Sequence, residues 1–227
     1  MTDRQGYARA VHDVESLAPA QPPLEYTFAC QPVAEEVFLD VLGRVTTTLD
    51  EWGRPWALLG GLAAAVHGRP RWTYDIDVFV QPYDGRPALG ALGAAGFATD
   101  EKDPYWLFKA MDRGVLVDII FKATAGIYFD EEMIERVRRV EFHGVSVPVL
   151  SAEDMVVIKA TAFAEHTARH WWDALAILAR TDLDWSYLVR RARNSPRRVA
   201  SLLLFARSVD LVVPDEAVHG LLERLEA

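Results

Sequence analysis

Two aspartates, Asp75 and Asp77, interrupt a segment that otherwise has the composition of a buried β-strand. The segment from Thr73 to Gln81 is predicted as a strand with both aspartates on one face, because successive strand side chains point to opposite faces. Two residues apart on a strand, their Cα atoms should be about 6.5–7 Å apart. Both carboxylates can therefore converge on one or two divalent ions. Hard oxygen ligands of this kind suit Mg²⁺, which also shares substrate phosphates.

A glycine pair, Gly60-Gly61, precedes this strand and follows the apolar stretch that ends at Leu59. An Ala-rich helical stretch follows the pair, from Leu62 to His67. Glycines at such a turn allow a phosphate chain to approach the backbone, and free N–H groups at the start of a helix face an anion. The segment therefore predicts a phosphate site close to the metal site.

A third carboxylate, Asp118, lies in the apolar segment Val115 to Phe121. A lone aspartate in such a strand is costly unless another group compensates its charge. A metal ion shared with Asp75 and Asp77 would do so, and an ion pair with an arginine is the alternative. Two metal ions held by three carboxylates can activate an attacking hydroxyl and neutralise a leaving pyrophosphate. A single Asp-x-Asp strand usually forms a solvated face, so the specific signal is the ordered combination of the three features.

The chain divides at about residue 150, where mixed strand and helix patterns give way to helices alone. We expect a weakly ordered, Pro-rich segment over 1–30, an α/β domain over 31–150 and a helical domain over 151–227. Helices are predicted over 33–52, 62–67, 86–95, 126–140, from 151, and at about 169–180, 184–193, 196–209 and 215–226; strands over 56–59, 73–81, 105–110, 114–121 and 143–149. The predicted fold is α/β (α+β), with a mixed sheet, flanking helices and a C-terminal helical bundle.

Composition narrows the function classes. The formal net charge of -9 argues against a bulk electrostatic grip on nucleic acid. The candidate basic patch is a cluster of arginines that could equally be a solvated helix–turn–helix junction; its members are Arg190, Arg191, Arg193, Arg197 and Arg198.

The single cysteine, Cys30, cannot form an internal disulfide, and no Cys/His spacing suggests zinc. With no signal pattern and no membrane-length apolar run, a cytoplasmic protein is expected.

In order along the chain, the Gly60-Gly61 turn, Asp75-Ile76-Asp77 and Asp118 resemble the DNA polymerase β-type nucleotidyltransferase superfamily. The AbiEii-type branch, which contains toxin nucleotidyltransferases, is similar in His67-Gly68-Arg69, Arg71 and Thr73 as well. The resemblance is best over residues 56–80, extends to about 121, and is weakest over 150–180. It implies transfer of a nucleoside monophosphate from an NTP, with Mg²⁺ and release of pyrophosphate. By this resemblance Asp75 and Asp77 hold the metals, Asp118 completes the site and helps activate the acceptor hydroxyl, and the glycines cradle the triphosphate.

The resemblance extends to a helical segment that carries Lys159, Arg169 and Asp173. It implies that Lys159 contacts the triphosphate and that Asp173 orients it; a salt bridge between the two helices is the alternative. Arg69 and Arg71, counted with Thr73 among the nucleotide-binding residues, could bind phosphate or neutralise the three aspartates. Residues 169–172 differ from the Arg/Lys-rich run usual in the toxins.

The acceptor stays open between RNA or tRNA, a protein hydroxyl and a small molecule. An antitoxin protein is a possible partner, and no membrane association is expected. Two further hypotheses are a non-catalytic relative that binds a nucleotide or a partner, and an antitoxin-like partner of a toxin.

Overall fold

The computed structural model describes residues 32–226, which form one mixed sheet with helices around it. The strands are β1 Trp56–Leu58, β2 Asp75–Val80, β3 Ala98–Asp103, β4 Leu107–Asp112, β5 Val115–Ile120, β6 Arg138–Phe142 and β7 Val145–Val149. The helices are α1 Glu35–Trp52, α2 Gly60–Val66, α3 Gly85–Ala94, α4 Glu131–Arg136, α5 Ala152–Ala162, α6 Arg169–Arg180, α7 Trp185–Arg191, α8 Pro196–Ser208 and α9 Asp215–Glu226. The expectations for residues 1–30, including Cys30, lie outside the described residues.

The seven strands are ordered β3-β4-β5-β2-β1-β7-β6. Strand β2 is parallel to β5, and β1 is parallel to β7, whereas the other neighbours are antiparallel. This arrangement confirms the predicted mixed sheet with flanking helices. It also puts the two strands that carry the aspartates side by side at the centre of the sheet.

Helix α1 shows how local sequence produces an element and its packing. Its apolar residues recur at spacings of three and four and are buried: Phe38, Val41, Leu42, Val45 and Leu49. The helix ends before Gly53, whose φ of 77° is in the left-handed region that glycine adopts without a Cβ clash. The buried face packs against β7 and α3, so this helix covers the sheet.

The region from 126 to 142 differs from the sequence expectation. A helix was expected over 126–140, but only Glu131–Arg136 is helical, and residues 138–142 form β6. Strand β6 pairs with β7 along its whole length, from Arg138↔Val149 to Phe142↔Val145. The pairing supplies backbone hydrogen bonds that outweigh the local helical preference. Strand β3 was not expected either, because its sequence ATDEKD is polar; it is an edge strand with mostly exposed side chains.

Helix α5 lies at the centre of the C-terminal helices. Ten of its 11 residues are buried, among them the polar Glu153, Asp154, Lys159 and Thr161. It contacts α6, α7 and α8, and its apolar residues belong to the same core as those of the sheet. Buried polar groups on such a helix require partners on neighbouring elements. The boundary at residue 150 remains a prediction. Within 32–226, no helix is both long and apolar enough to cross a membrane.

Candidate active site

The three aspartates lie on neighbouring parallel strands and line one cavity of about 1050 Å³. Asp77 of β2 is directly beside Asp118 of β5, and Asp75 lies two residues before Asp77 on β2. Residues paired in register point to the same face of a sheet. The structure thus brings together the three carboxylates that the sequence singled out.

The glycine turn lies directly against Asp77. Helix α2 begins at Gly60, which has a φ of +66°, and a Cβ there would lie 1.6 Å from Oδ2 of Asp77. A Cβ on Gly61 would lie 2.6 Å from Oγ1 of Thr73. The Gly61 N–H donates a hydrogen bond to the Asp77 carboxylate, and the Leu59 N–H donates to its backbone carbonyl at 3.1 Å. Both positions require glycine, because any side chain would displace the site's own residues.

The three aspartates give the cavity an excess of negative charge. Burial, together with the nearby charges of Asp75 and Asp118, raises the pKa of Asp77 to about 7. Burial also raises the pKa of Asp118, while Lys109 opposes that rise. Asp75 accepts a short hydrogen bond from the Thr73 hydroxyl. A cation in the cavity would relieve the repulsion among these groups.

Lys109 is a residue that sequence reasoning missed. Its Nζ is 2.7 Å from Oδ1 of Asp118, and it lies on β4 directly opposite that residue. The sequence suggested a metal or an arginine as the compensating charge, and in the structure a lysine provides it. The expected turn around Asp112-Arg113-Gly114 was the available signal, because counting outward from it pairs residue 109 with residue 118.

A second charged cluster surrounds Asp173 on α6, and we call its four residues (Arg69, Arg71, Lys159 and Asp173) the Asp173 cluster. Asp173 is fully buried. Arg71 donates to both of its carboxylate oxygens, from Nε at 3.1 Å and from Nη2 at 2.9 Å. Lys159 Nζ is at 3.0 Å, and Arg69 Nε is at 3.4 Å. The Lys159–Asp173 salt bridge, the alternative from sequence, is therefore present.

The expectation that Arg69 and Arg71 either bind phosphate or neutralise the three aspartates missed this contact. Both arginines pair with Asp173, because α6 packs against α2 and brings its carboxylate to the loop before β2. The hydrogen bond to Asp173 raises the pKa of Arg71, and Asp75 and Asp77 add smaller contributions. Arg71 and Lys159 also line the cavity, so Asp173 holds both cations at its edge.

His170 is a further cavity residue that the sequence did not single out. Its Nδ1 is 3.5 Å from Nζ of Lys159. Burial, and then the charges of Lys159 and Arg169, lower the pKa of His170 to about 4. The imidazole is therefore neutral at physiological pH and can exchange hydrogen bonds without adding charge.

The chemistry of the carboxylates fits a hard divalent ion, but their present positions are not those of ligands. Among residues 32–226, no three His, Cys, Asp or Glu side chains are gathered closely enough to hold a metal ion. Asp75 is engaged by Thr73, and Asp118 is engaged by Lys109. An ion would therefore have to compete with donors that belong to the protein.

Three of the five arginines in the cluster from 190 to 198 are paired with acidic residues. Arg190 pairs with Glu132 at 3.1 Å, and Arg193 pairs with Asp130 at 3.1 Å. Arg191 is buried, with its Nη1 2.6 Å from Asp130 and its Nε 3.0 Å from Asp154. These pairs favour the structural interpretation of the cluster over a nucleic-acid patch.

Comparisons with known proteins place these features in context. A family model described as uncharacterised nucleotidyltransferase matches residues 12–212. Comparison with curated proteins gives no significant match. The antibiotic-resistance factor ANT(2'')-Ia, in its solution structure, is 15% identical with a TM-score of 0.51, over 78% of this chain and 94% of that chain.

Two further solved structures are similar. The lincosamide antibiotic adenylyltransferase LnuA, bound to lincomycin, is 12% identical with a TM-score of 0.46, over 66% of this chain and 100% of that chain. The Megavirus polyadenylate synthase is 11% identical with a TM-score of 0.42, over 94% of this chain and 57% of that chain. The likeness to ANT(2'')-Ia supports the fold.

Proposed function

The chain belongs to the uncharacterised nucleotidyltransferase family, and we propose that it transfers a nucleoside monophosphate from an NTP to an acceptor hydroxyl in a Mg²⁺-dependent reaction. The observation that carries the proposal is the arrangement of Asp75, Asp77 and Asp118 in one cavity beside the glycine turn. In the reaction, the acceptor oxygen forms a bond to the α-phosphorus, the bond to pyrophosphate breaks, and the hydroxyl proton leaves.

Asp75, Asp77 and Asp118 are the residues that would hold the ions. Their three carboxylates are hard oxygen donors, and the raised pKa of Asp77 reflects an excess of negative charge that a divalent cation would remove. Mg²⁺, expected as two ions, would neutralise charge on the phosphates and on the leaving pyrophosphate. Asp118, in addition to completing the metal site, would accept the proton of the acceptor hydroxyl.

The nucleotide's triphosphate is proposed to bind between the glycine turn and the cations at the edge of the cavity. Gly60 and Gly61 line the cavity, and the backbone of this turn lies directly against Asp77 and Thr73 because neither glycine carries a side chain. Arg71 and Lys159 face the cavity and can donate to phosphate oxygens. Asp173 acts as a positioning residue, since its carboxylate accepts hydrogen bonds from both Arg71 and Lys159. Thr73 lines the same cavity, and Arg69 is proposed to assist through its contact with Asp173.

A small molecule is the acceptor class that the surface charges favour over RNA. The net charge is -9, and three of the five arginines in the cluster that could have held a phosphate backbone are paired with acidic residues. The AbiEii-type resemblance supports the other candidate, a toxin that modifies RNA and has an antitoxin partner in the cytoplasm. Labelling a cell lysate with each α-labelled NTP, and separating RNA, protein and small molecules, distinguishes these acceptors.

Pyrophosphate release with and without Mg²⁺ tests the reaction itself. Asp77→Asn is expected to abolish release while the protein stays folded, since the variant keeps the shape of the side chain and removes the charge. Asp182→Asn, a change of an exposed aspartate on the loop before α7, is the matched control and should retain full activity. Full activity in Asp77→Asn would overturn the proposed site. NTP binding without turnover in the wild type would support the non-catalytic alternative.

A further inference from the structure

Four charged residues form a row across four neighbouring strands. In register they are Asp77 on β2, Asp118 on β5, Lys109 on β4 and Asp100 on β3. Residues directly opposite one another point to the same face, with Cβ atoms about 4.5–5.5 Å apart. Lys109 therefore lies between two carboxylates, one at the cavity and one on the edge strand.

In the structure the lysine is bound to the cavity carboxylate. The distance from Lys109 Nζ to Asp118 Oδ1 is 2.7 Å, and the two side chains are only 13% and 17% exposed. Asp100, on the other side of Lys109, is partly exposed on the edge strand. An ammonium group on a flexible four-carbon stem can reach either neighbour.

We propose that Lys109 is a displaceable counter-ion of the active site, which neutralises Asp118 until a divalent ion binds and then pairs with Asp100. The proposal rests on the proposed function, because it concerns the third carboxylate of that site. It assigns Lys109 and Asp100 as positioning residues, neither of which lines the cavity.

Two physical effects support the exchange. A divalent ion at Asp118 would lie within a few ångströms of the ammonium, and like charges at that distance repel strongly in a partly buried site. The ammonium, in turn, is costly to leave unpaired at 13% exposure, and Asp100 offers it a carboxylate without a change of strand. Ion binding thus competes with the salt bridge between Lys109 and Asp118, and this competition lowers the affinity of the nucleotide-free protein for the ion. The phosphates of a bound NTP, which add ligands for the ion, would shift the balance towards the ion.

The two positioning residues have opposite predicted effects on ion affinity, which a merely structural role would not produce. In the full-length protein at pH 8, Mn²⁺ alone serves as the probe, and the free ion is measured by electron paramagnetic resonance. Lys109→Met removes the competitor and should tighten Mn²⁺ binding by about tenfold or more. Asp100→Asn removes the alternative partner, and should weaken binding severalfold. Lys102→Met, a change of an exposed lysine on β3, is the matched control and should bind like the wild type.

Unchanged or weaker Mn²⁺ binding by Lys109→Met would overturn the inference, as would tighter binding by Asp100→Asn. Asp100→Asn is an edge-strand substitution, so it keeps the test decisive if Lys109→Met does not fold. Asp77→Asn separates the inference from the proposed function. Mn²⁺ binding by the wild type but not by Asp77→Asn would support the metal site. If Lys109→Met then binds Mn²⁺ like the wild type, the proposed role of Lys109 is wrong although the metal site is supported. If the wild type and Lys109→Met both fail to bind Mn²⁺, the inference and the metal site of the proposed function fall together.

Discussion

Removal of the charge at Asp173 is expected to destabilise the fold strongly. The substitution Asp173→Asn keeps the shape of the side chain but removes the anion that holds Arg71, Lys159 and Arg69. Asp173 is fully buried, and Lys159 is 3% exposed, so the substitution would leave the buried Lys159 side chain without its anion. Breaking one side of a buried ion pair in this way costs about 3–5 kcal/mol.

This cost should be visible in equilibrium unfolding by urea and by heat. For a chain of this length, about 3–5 kcal/mol corresponds to a decrease of about 6–20 °C in the unfolding midpoint. The pH dependence has a definite sign. The hydrogen bonds and charges around Asp173 hold its pKa below the ordinary value, so its stabilising contribution is present above about pH 4 and is lost as the pH falls further. The difference between wild type and variant should therefore narrow in acid.

A double variant distinguishes a broken ion pair from lost packing. Lys159→Met with Asp173→Leu removes both buried charges and should recover part of the stability that Asp173→Asn loses, because the two cations that still lose their anion, Arg69 and Arg71, are 40% and 28% exposed and can be solvated. Asp182→Asn, at an exposed position, should stay within about 0.5 kcal/mol of the wild type. If the free energy of unfolding of Asp173→Asn lies within about 1 kcal/mol of the wild-type value at pH 7, the Asp173 cluster does not stabilise the fold through buried ion pairs.

Three further outcomes are expected. Gly60→Ala should reduce both thermal stability and pyrophosphate release, because the new Cβ would lie 1.6 Å from Oδ2 of Asp77 and the φ of +66° is strained for alanine; wild-type behaviour in both assays would contradict this. Asp77→Asn should stabilise the metal-free protein at pH 8 by about 1 kcal/mol or more, measured by thermal unfolding with a chelator. The sign follows from the pKa of about 7: protonated Asp77 favours the fold at lower pH, and this contribution is lost as the pH rises through 7, so the gain should vanish near pH 4. Arg191→Met should cost about 3–5 kcal/mol in urea unfolding, since it leaves the fully buried Asp154 without its guanidinium at 3.0 Å; a loss below about 1 kcal/mol would contradict the argument.

Local patterns were sufficient for most elements near the site. The strand that carries Asp75 and Asp77 and the helix over 169–180 were predicted from the periodicity of their own residues, which burial on one face imposes. Strand β6 was not, because residues 138–142 become a strand only through pairing with β7. Strand β3 was missed for a related reason: an edge strand is mostly exposed, so its sequence carries no apolar alternation.

In the candidate site, too, some features follow from local sequence and others only from the tertiary structure. Sequence alone determined which acidic residues share a strand face and where glycine must stand, because spacing within one element fixes the direction of each side chain. Only the tertiary structure decided which charges neutralise one another. Lys109 meets Asp118 through strand register, and Arg71 meets Asp173 through the packing of a helix about a hundred residues further along the chain. Such pairings depend on how elements are placed in space, which no local spacing contains.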